Sequence, residues 1–65
     1  MFQQHQIIKL SVDLNPVLLK GMQGVILEVL DNNTFIIEFV RDDGSNYSYD
    51  DNFIFVVNTQ QITAG

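Results

Sequence analysis

The 65-residue chain contains no cysteine and no tryptophan, one proline (Pro16), one histidine (His5) and three basic residues, Lys9, Lys20 and Arg41. Each shortage excludes something. Without cysteine there is no disulfide framework and no thiolate to ligate a metal or act as nucleophile, so nothing argues for an oxidising compartment. Three scattered cations cannot neutralise a phosphate backbone, which argues against direct nucleic-acid binding. No stretch reaches the roughly 18 consecutive apolar residues of a membrane span. The opening MFQQHQIIKL lacks the basic and apolar regions of a secretory signal. The expectation is a soluble, cytoplasmic protein with no membrane association.

What the chain does have is acid. Eight Asp and Glu against three basic residues give a net charge of −5, which suits a basic protein partner or plain solubility. A chain this short makes one domain and buries only about 60 % of the surface its unfolded form exposes. Residues 1–65 are read as that single domain, with short loose termini at 1–4 and 63–65.

Helical periodicity is poor. β-Branched and aromatic residues alternate with polar ones between Asp, Asn and Gly clusters, which reads as short antiparallel strands. The first covers residues 6–12, the second 23–30 and the third 34–41; a fourth begins near Ser45. Pro16 breaks the chain after the first strand, and VLLKG is expected to form one short helical turn.

Register can be tested on paper, because a one-residue slip exchanges the two faces of a strand. A three-residue loop at Asp31-Asn32-Asn33 pairs Val29 with Phe35, Leu27 with Ile37 and Val25 with Phe39, all apolar; a two-residue loop would set Leu27 against Glu38. The three-residue loop is therefore expected, with Asn33 at positive φ. A loop at Asp42-Asp43-Gly44, with Gly44 left-handed, pairs Phe39 with Tyr47 and Ile37 with Tyr49. The inner face is then Val25, Leu27, Val29, Phe35, Ile37, Phe39, Tyr47 and Tyr49. Asp50-Asp51-Asn52 reads as a second acidic turn or bulge, residues 53–57 as an apolar strand, and residues 58–61 as a tight turn returning Ile62 to the sheet. The fold class is all-β: a small five-stranded antiparallel SH3-like barrel.

KGMQGVILEV, residues 20–29, places two glycines three apart ahead of an alternating run. A phosphate-binding loop needs its lysine after the second glycine and a helix behind it; here Lys20 comes first and a strand follows. Gly21 as a left-handed loop residue and Gly24 as a point of close backbone approach explain the pattern better.

The order of a hydrophobic first strand, DL, LLKGMQGVILEVL, FIIEFV, DDG and a closing QI resembles a family of small bacterial proteins catalogued as domain of unknown function 4926. The resemblance spans roughly residues 6–62. It implies an SH3-like fold and an antitoxin-like or accessory role beside a partner encoded nearby, and it supplies no catalytic residues. NYSYDDN, after the acidic glycine turn, is longer than that pattern.

Chemistry-bearing constellations are sparse. DDGSNYSYDDN lacks the alternating acids and terminal glutamate of a calcium loop, so its carboxylates read as solvated turn residues. His5 has no second histidine or nearby acid to work with, and no serine stands in a nucleophile elbow. The chain is read as non-enzymatic, with no metal and no cofactor. Proline-peptide recognition is discounted, because residues 13–23 hold no aromatic side chain.

The informative set lies on the expected outer face of the second hairpin: Ile26, Glu28, Leu30, Ile36, Glu38 and Val40. Four of these six are large and apolar, where a small barrel should be polar. Either the chain's own arm covers them, or they form a partner-binding patch for another protein or a second copy. The function so read is a protein-binding module. An acidic nucleic-acid mimic that inhibits a nuclease or DNA-binding protein, and an accessory subunit of an enzyme complex, stay open as alternatives.

Overall fold

The computed structural model describes residues 2–65. Five antiparallel strands form one sheet: β1 (Ile7–Leu10), β2 (Gln23–Asp31), β3 (Thr34–Phe39), β4 (Ile54–Asn58) and β5 (Ile62–Ala64), in the spatial order β4-β3-β2-β1-β5. The fold is all-β, and no helix long and apolar enough to cross a membrane occurs among the described residues. Buried side chains from every strand meet in one core: Ile8 and Leu10, Ile26, Phe35, Ile37 and Phe39, Val57 and Ile62, with Leu18 added from the first loop.

The sheet is open, so the closed barrel expected from the sequence is not formed. Strands β4 and β5 are its two edges and do not pair with each other. The cause lies at the end of β4, where Gln61 takes both backbone groups of Asn58. Its side-chain Oε1 accepts the Asn58 N–H at 2.9 Å, and its own N–H donates to the Asn58 carbonyl at 3.0 Å. The chain then turns away to pair β5 with the far side of β1.

The β2–β3 ladder departs from the expected register in an instructive way. Asp31 pairs with Thr34 across a two-residue Asn32-Asn33 turn; Val29 pairs with Phe35 and Glu28 with Ile36; then Ile26 pairs with Ile37, Val25 with Glu38 and Gly24 with Phe39. Irregularities at Leu30 and Leu27 each add one residue to β2. Neither Asn32 nor Asn33 has a positive φ, so the turn is not of the type I′ kind whose twist matches the right-handed twist of the flanking strands. Instead Asp31 Oδ1 accepts the Asn33 N–H at 2.8 Å, and the bulge at Leu30 absorbs the mismatch. The central pairs are therefore those expected from sequence. Past Leu27 they are not: the expected Leu27–Ile37 and Val25–Phe39 pairs are replaced, and β2 turns its even-numbered residues inward.

Gly24 shows why. A Cβ there would lie 2.8 Å from Phe39 Cε1, 2.9 Å from the Glu38 carbonyl oxygen and 2.9 Å from Ile37 Cγ2. Position 24 faces the core directly beneath Phe39, and any side chain would collide with it. With Gly24 and Ile26 inward, Val25 must point outward.

The 41–45 turn follows the sequence reading. Gly44 has φ +90°, its N–H donates to the Arg41 carbonyl at 2.9 Å, and the Arg41 N–H donates to the Ser45 carbonyl at 2.7 Å. Tyr47 N–H then reaches the Phe39 carbonyl at 2.8 Å. Beyond Tyr47 the expected fourth strand does not form. Ile37 pairs with Phe55 rather than Tyr49, and Tyr49 pairs with Asn52 around Asp50-Asp51. Both aspartates have positive φ, 54° and 63°, the pattern of a type I′ turn. Tyr47 packs partly against the core while Tyr49 stays exposed.

The first loop contains no helical turn. Asn15 Oδ1 accepts the N–H groups of Val17 and Leu18 at 2.9 and 2.8 Å, and Asp13 Oδ1 accepts that of Lys20 at 2.7 Å. These side-chain caps fold residues 13–20 into a cover that delivers Leu18 to the core. Gly21 closes it at φ +91°. Of the ends expected to be loose, residue 1 lies outside the described residues, and residues 2–4 and 63–65 make the following contacts. Phe2 packs edge-on against Phe35 with centroids 5.6 Å apart, His5 N–H donates to the Ile26 carbonyl at 2.7 Å, and Thr63 and Ala64 belong to β5.

Replacing Gly24 with alanine is expected to destabilise the fold by about 1–3 kcal/mol, the usual cost of overpacking, because the Glu38 carbonyl in its way is part of the ladder. Urea unfolding measures this; an unchanged midpoint would show that position 24 does not face Phe39.

Candidate protein-docking face

The register assigns the outward side chains around the centre of the sheet. Two cross-strand rows run over the outer face: Ile7, Val25, Glu38 and Ile54 in one, and Glu28, Ile36 and Val56 in the next. Alternation along each strand forces this arrangement, since Ile8, Ile26, Ile37 and Phe55 occupy the inner positions. Five of the seven residues are apolar. Ile54 and Val56 are 52 % and 64 % exposed and Ile7 is 49 % exposed, whereas Val25, Ile36 and Glu38 are half-buried among their neighbours.

The six residues singled out from sequence do not all belong here. Glu28, Ile36 and Glu38 lie on this face, and Val40 continues β3 one row beyond Glu38, bridged to Asn46. Ile26 is corrected: it is fully buried in the core opposite Ile37, because the extra residue at Leu27 exchanges the faces of β2. Leu30 is half exposed but is the extra residue of the bulge beside the Asn32-Asn33 turn, outside the two rows.

Sequence reasoning missed Ile7, Val25, Ile54 and Val56. The last two lie in residues 53–57, read from sequence only as an apolar strand with no faces assigned. Their signal was present: once β4 pairs antiparallel with β3, inward Phe55 and Val57 require outward Ile54 and Val56.

The chain's own arm does not cover the rows on β3 and β4. Residues 3–6 run along β2 at the Leu27 bulge, where Gln4 Nε2 donates to the Leu27 carbonyl at 3.1 Å. On β2, β3 and β4 the charge of the face is acidic: Glu28 is exposed, and Glu38 Oε2 accepts from Asn46 Nδ2 at 3.1 Å, while the exposed Lys9 of β1 lies on the same face opposite Gln23 and Thr63. The strands β2, β3 and β4 contain no Lys or Arg.

A second feature lies at the corner made by Met22, Gln23 and residues 40–47. Arg41 stacks on Tyr47, with Cζ 4.3 Å from the ring centroid. Asp43 beside it accepts from Ser45 Oγ at 2.6 Å and from Ser45 N–H at 2.9 Å. These hydrogen bonds hold its carboxyl below the ordinary value of 3.8, with a smaller contribution from the Arg41 charge. All of these groups serve the turn. Among the described residues no charged or polar side chain is buried, and no three His, Cys, Asp or Glu groups converge as a metal site would require. What the outer face offers is apolar contact area with carboxylates beside it.

Because the folded Asp43 carboxyl titrates below its unfolded value, its contribution is present above pH 3.8 and is lost as pH falls through the lower folded value. Ser45→Ala is expected to move the Asp43 midpoint up toward 3.8, read from the carboxyl carbon shift by NMR; an unmoved midpoint would show that the Ser45 hydroxyl does not hold it. The faces of the sheet are separated by truncation. Ile26→Ala is expected to cost about 2–5 kcal/mol, as buried aliphatics do. Val56→Ala should stay within about 0.5 kcal/mol of the parent, as exposed positions do. Thermal unfolding checks both, and the reverse ranking would reverse the faces.

Compared with family models, with curated proteins and with solved structures, the chain matches none.

Proposed function

We propose that this chain is a non-enzymatic protein-binding module that docks a partner on the outer face of β2, β3 and β4, in the antitoxin-like or accessory role that the sequence resemblance implies. The observation that carries the reading is the exposure of Ile54 and Val56, 52 % and 64 %, beside Ile36 and under no covering segment among the described residues. A fold of this size has little apolar surface to spare, and leaving two β-branched residues of neighbouring rows in water on the edge strand is costly without a compensating contact.

The two carboxylates select the partner's chemistry. Glu28 stands opposite Ile36, and Glu38 opposite Val25 and Ile54. A docking protein therefore meets apolar surface flanked by negative charge, and one carrying lysine or arginine around an apolar anchor is complementary.

The test uses a photo-crosslinking residue at position 56, with position 20 in the first loop as the control, in cells of the source organism. A discrete adduct from position 56 and none from position 20 is expected, weakened at least tenfold by the double change Glu28→Lys and Glu38→Lys. The same adducts from both positions, or adducts indifferent to charge reversal, would contradict the proposal. Affinity for the recovered partner should fall only modestly between low and physiological salt; a steep loss would favour the nucleic-acid mimic instead.

A further inference from the structure

The face just described ends at a strand edge, and the hydrogen-bond pattern identifies which backbone groups of that edge are unpaired. In an antiparallel ladder the N–H and C=O of one residue point to the same side, and successive residues point to opposite sides. Both groups of Asn58 point away from β3, since Gln61 takes them there. Alternation then aims the N–H and C=O of Val56 and Ile54 away from β3 as well, leaving Phe55 and Val57 to bond it.

The other side of the ladder agrees. Tyr47 N–H reaches the Phe39 carbonyl on the β4 side of β3, so Phe39, Ile37 and Phe35 are the residues of β3 that point toward β4, opposite Phe55 and Val57. Among the described residues no backbone group from another segment hydrogen-bonds Ile54 or Val56 on the free side.

Edge strands of this kind are usually blunted by a lysine, a proline, an inward charge or a bulge. Residues 53–57, FIFVV, carry none of these. The other edge, β5, is blunted by brevity: it has three residues. β4 is the one edge long and apolar enough to accept another strand, and its outward side chains continue the apolar rows of the face.

We infer that β4 is a strand-addition site: an extended segment of a basic partner protein pairs with Ile54 and Val56 through their free backbone groups and extends the outer face by one strand. This rests on the protein-binding reading above and specifies how the partner engages. Charge settles the kind of partner. Asp50 and Asp51 stand exposed at the start of β4 and Glu38 lies beside Ile54. Residues 42–65 contain no lysine or arginine. A segment with apolar residues at alternate positions and a lysine or arginine at its ends fits both the rows and the field. A second copy would bring another net charge of −5 to the same place.

Amide hydrogen exchange by NMR tests this, with a blocked synthetic heptapeptide, Lys-Val-Thr-Val-Thr-Val-Lys, as probe and its counterpart ending in glutamates as control. In the free protein the amides of Ile54 and Val56 are expected to exchange fast while those of Phe55 and Val57 are protected. The lysine peptide should slow Ile54 and Val56 at least tenfold, and the glutamate peptide should bind at least tenfold more weakly. Val56→Pro removes an N–H that has no partner in the fold and should abolish the protection. Val56→Lys, which leaves the backbone as it is, should weaken binding at least tenfold should the proline variant fail to fold.

Four results would overturn the inference. Protection that grows with protein concentration and needs no peptide would make a second copy the occupant. Equal binding of the two peptides would remove the charge selection. Shifts at the Val25 and Ile36 methyls without amide protection would leave docking on the face but no strand addition. No change at either would also sink strand addition, leaving the face to its own cross-linking test.

Discussion

One residue with no partner, Leu27, decides which side chains of the longest strand enter the core. Toward the Asn32-Asn33 turn, β2 is in the register that places Val29 with Phe35; toward Gly24, it is in the register that places Ile26 with Ile37. The switch is needed because two demands conflict. Phe39 fills the space over position 24, where no Cβ fits, so Gly24 must face inward. Glu28 must face outward, because no charged side chain of the described residues is buried. Strict alternation sends residues 24 and 28 to the same side; one inserted residue sends them to opposite sides. The bulge satisfies both, and Gln4 occupies the carbonyl it displaces.

The outer face follows from that insertion. With Ile26 committed to the core, Val25 joins Ile7, Glu38 and Ile54 in a row that would otherwise have been interrupted. The chain tucks its arm and tail against β1 and β2, and its first loop supplies Leu18 from within. Among the described residues nothing comparable lies over Ile54 and Val56. The surface left over is apolar at one edge with carboxylates beside it, the combination on which the proposal of a cationic partner rests.

Much of this was legible in the sequence, and the failures are localised. The all-β class, the positive φ of Gly21 and Gly44, the tight approach at Gly24, the 42–44 loop and the returning Ile62 follow from residue chemistry that local context does not override. Pairing by matching apolar residues worked for Val29 with Phe35 and for Phe39 with Tyr47. It failed at Leu27 because apolar residues sit on both faces of β2: Val25, Ile26, Leu27, Val29 and Leu30 give no parity that hydropathy alone can read. Tyr49 failed for a different reason. The two aspartates after it reverse the chain in a type I′ turn, and the place beside Ile37 goes to Phe55. The candidate site inherited both errors, which is why it gained Ile26 and lost Ile54 and Val56.

The strand parity itself can be observed directly. Ile26 directs its N–H and C=O to Gln6 and His5 rather than to β3, so Ile26 and Ile37 form a non-hydrogen-bonded pair, in which the two α-protons lie close together. A two-dimensional NOE spectrum should therefore contain a strong cross-peak between the α-protons of Ile26 and Ile37. A strong α-proton cross-peak from Leu27 to Ile37 in its place would contradict the bulge, the buried Ile26 and the proposed docking face together.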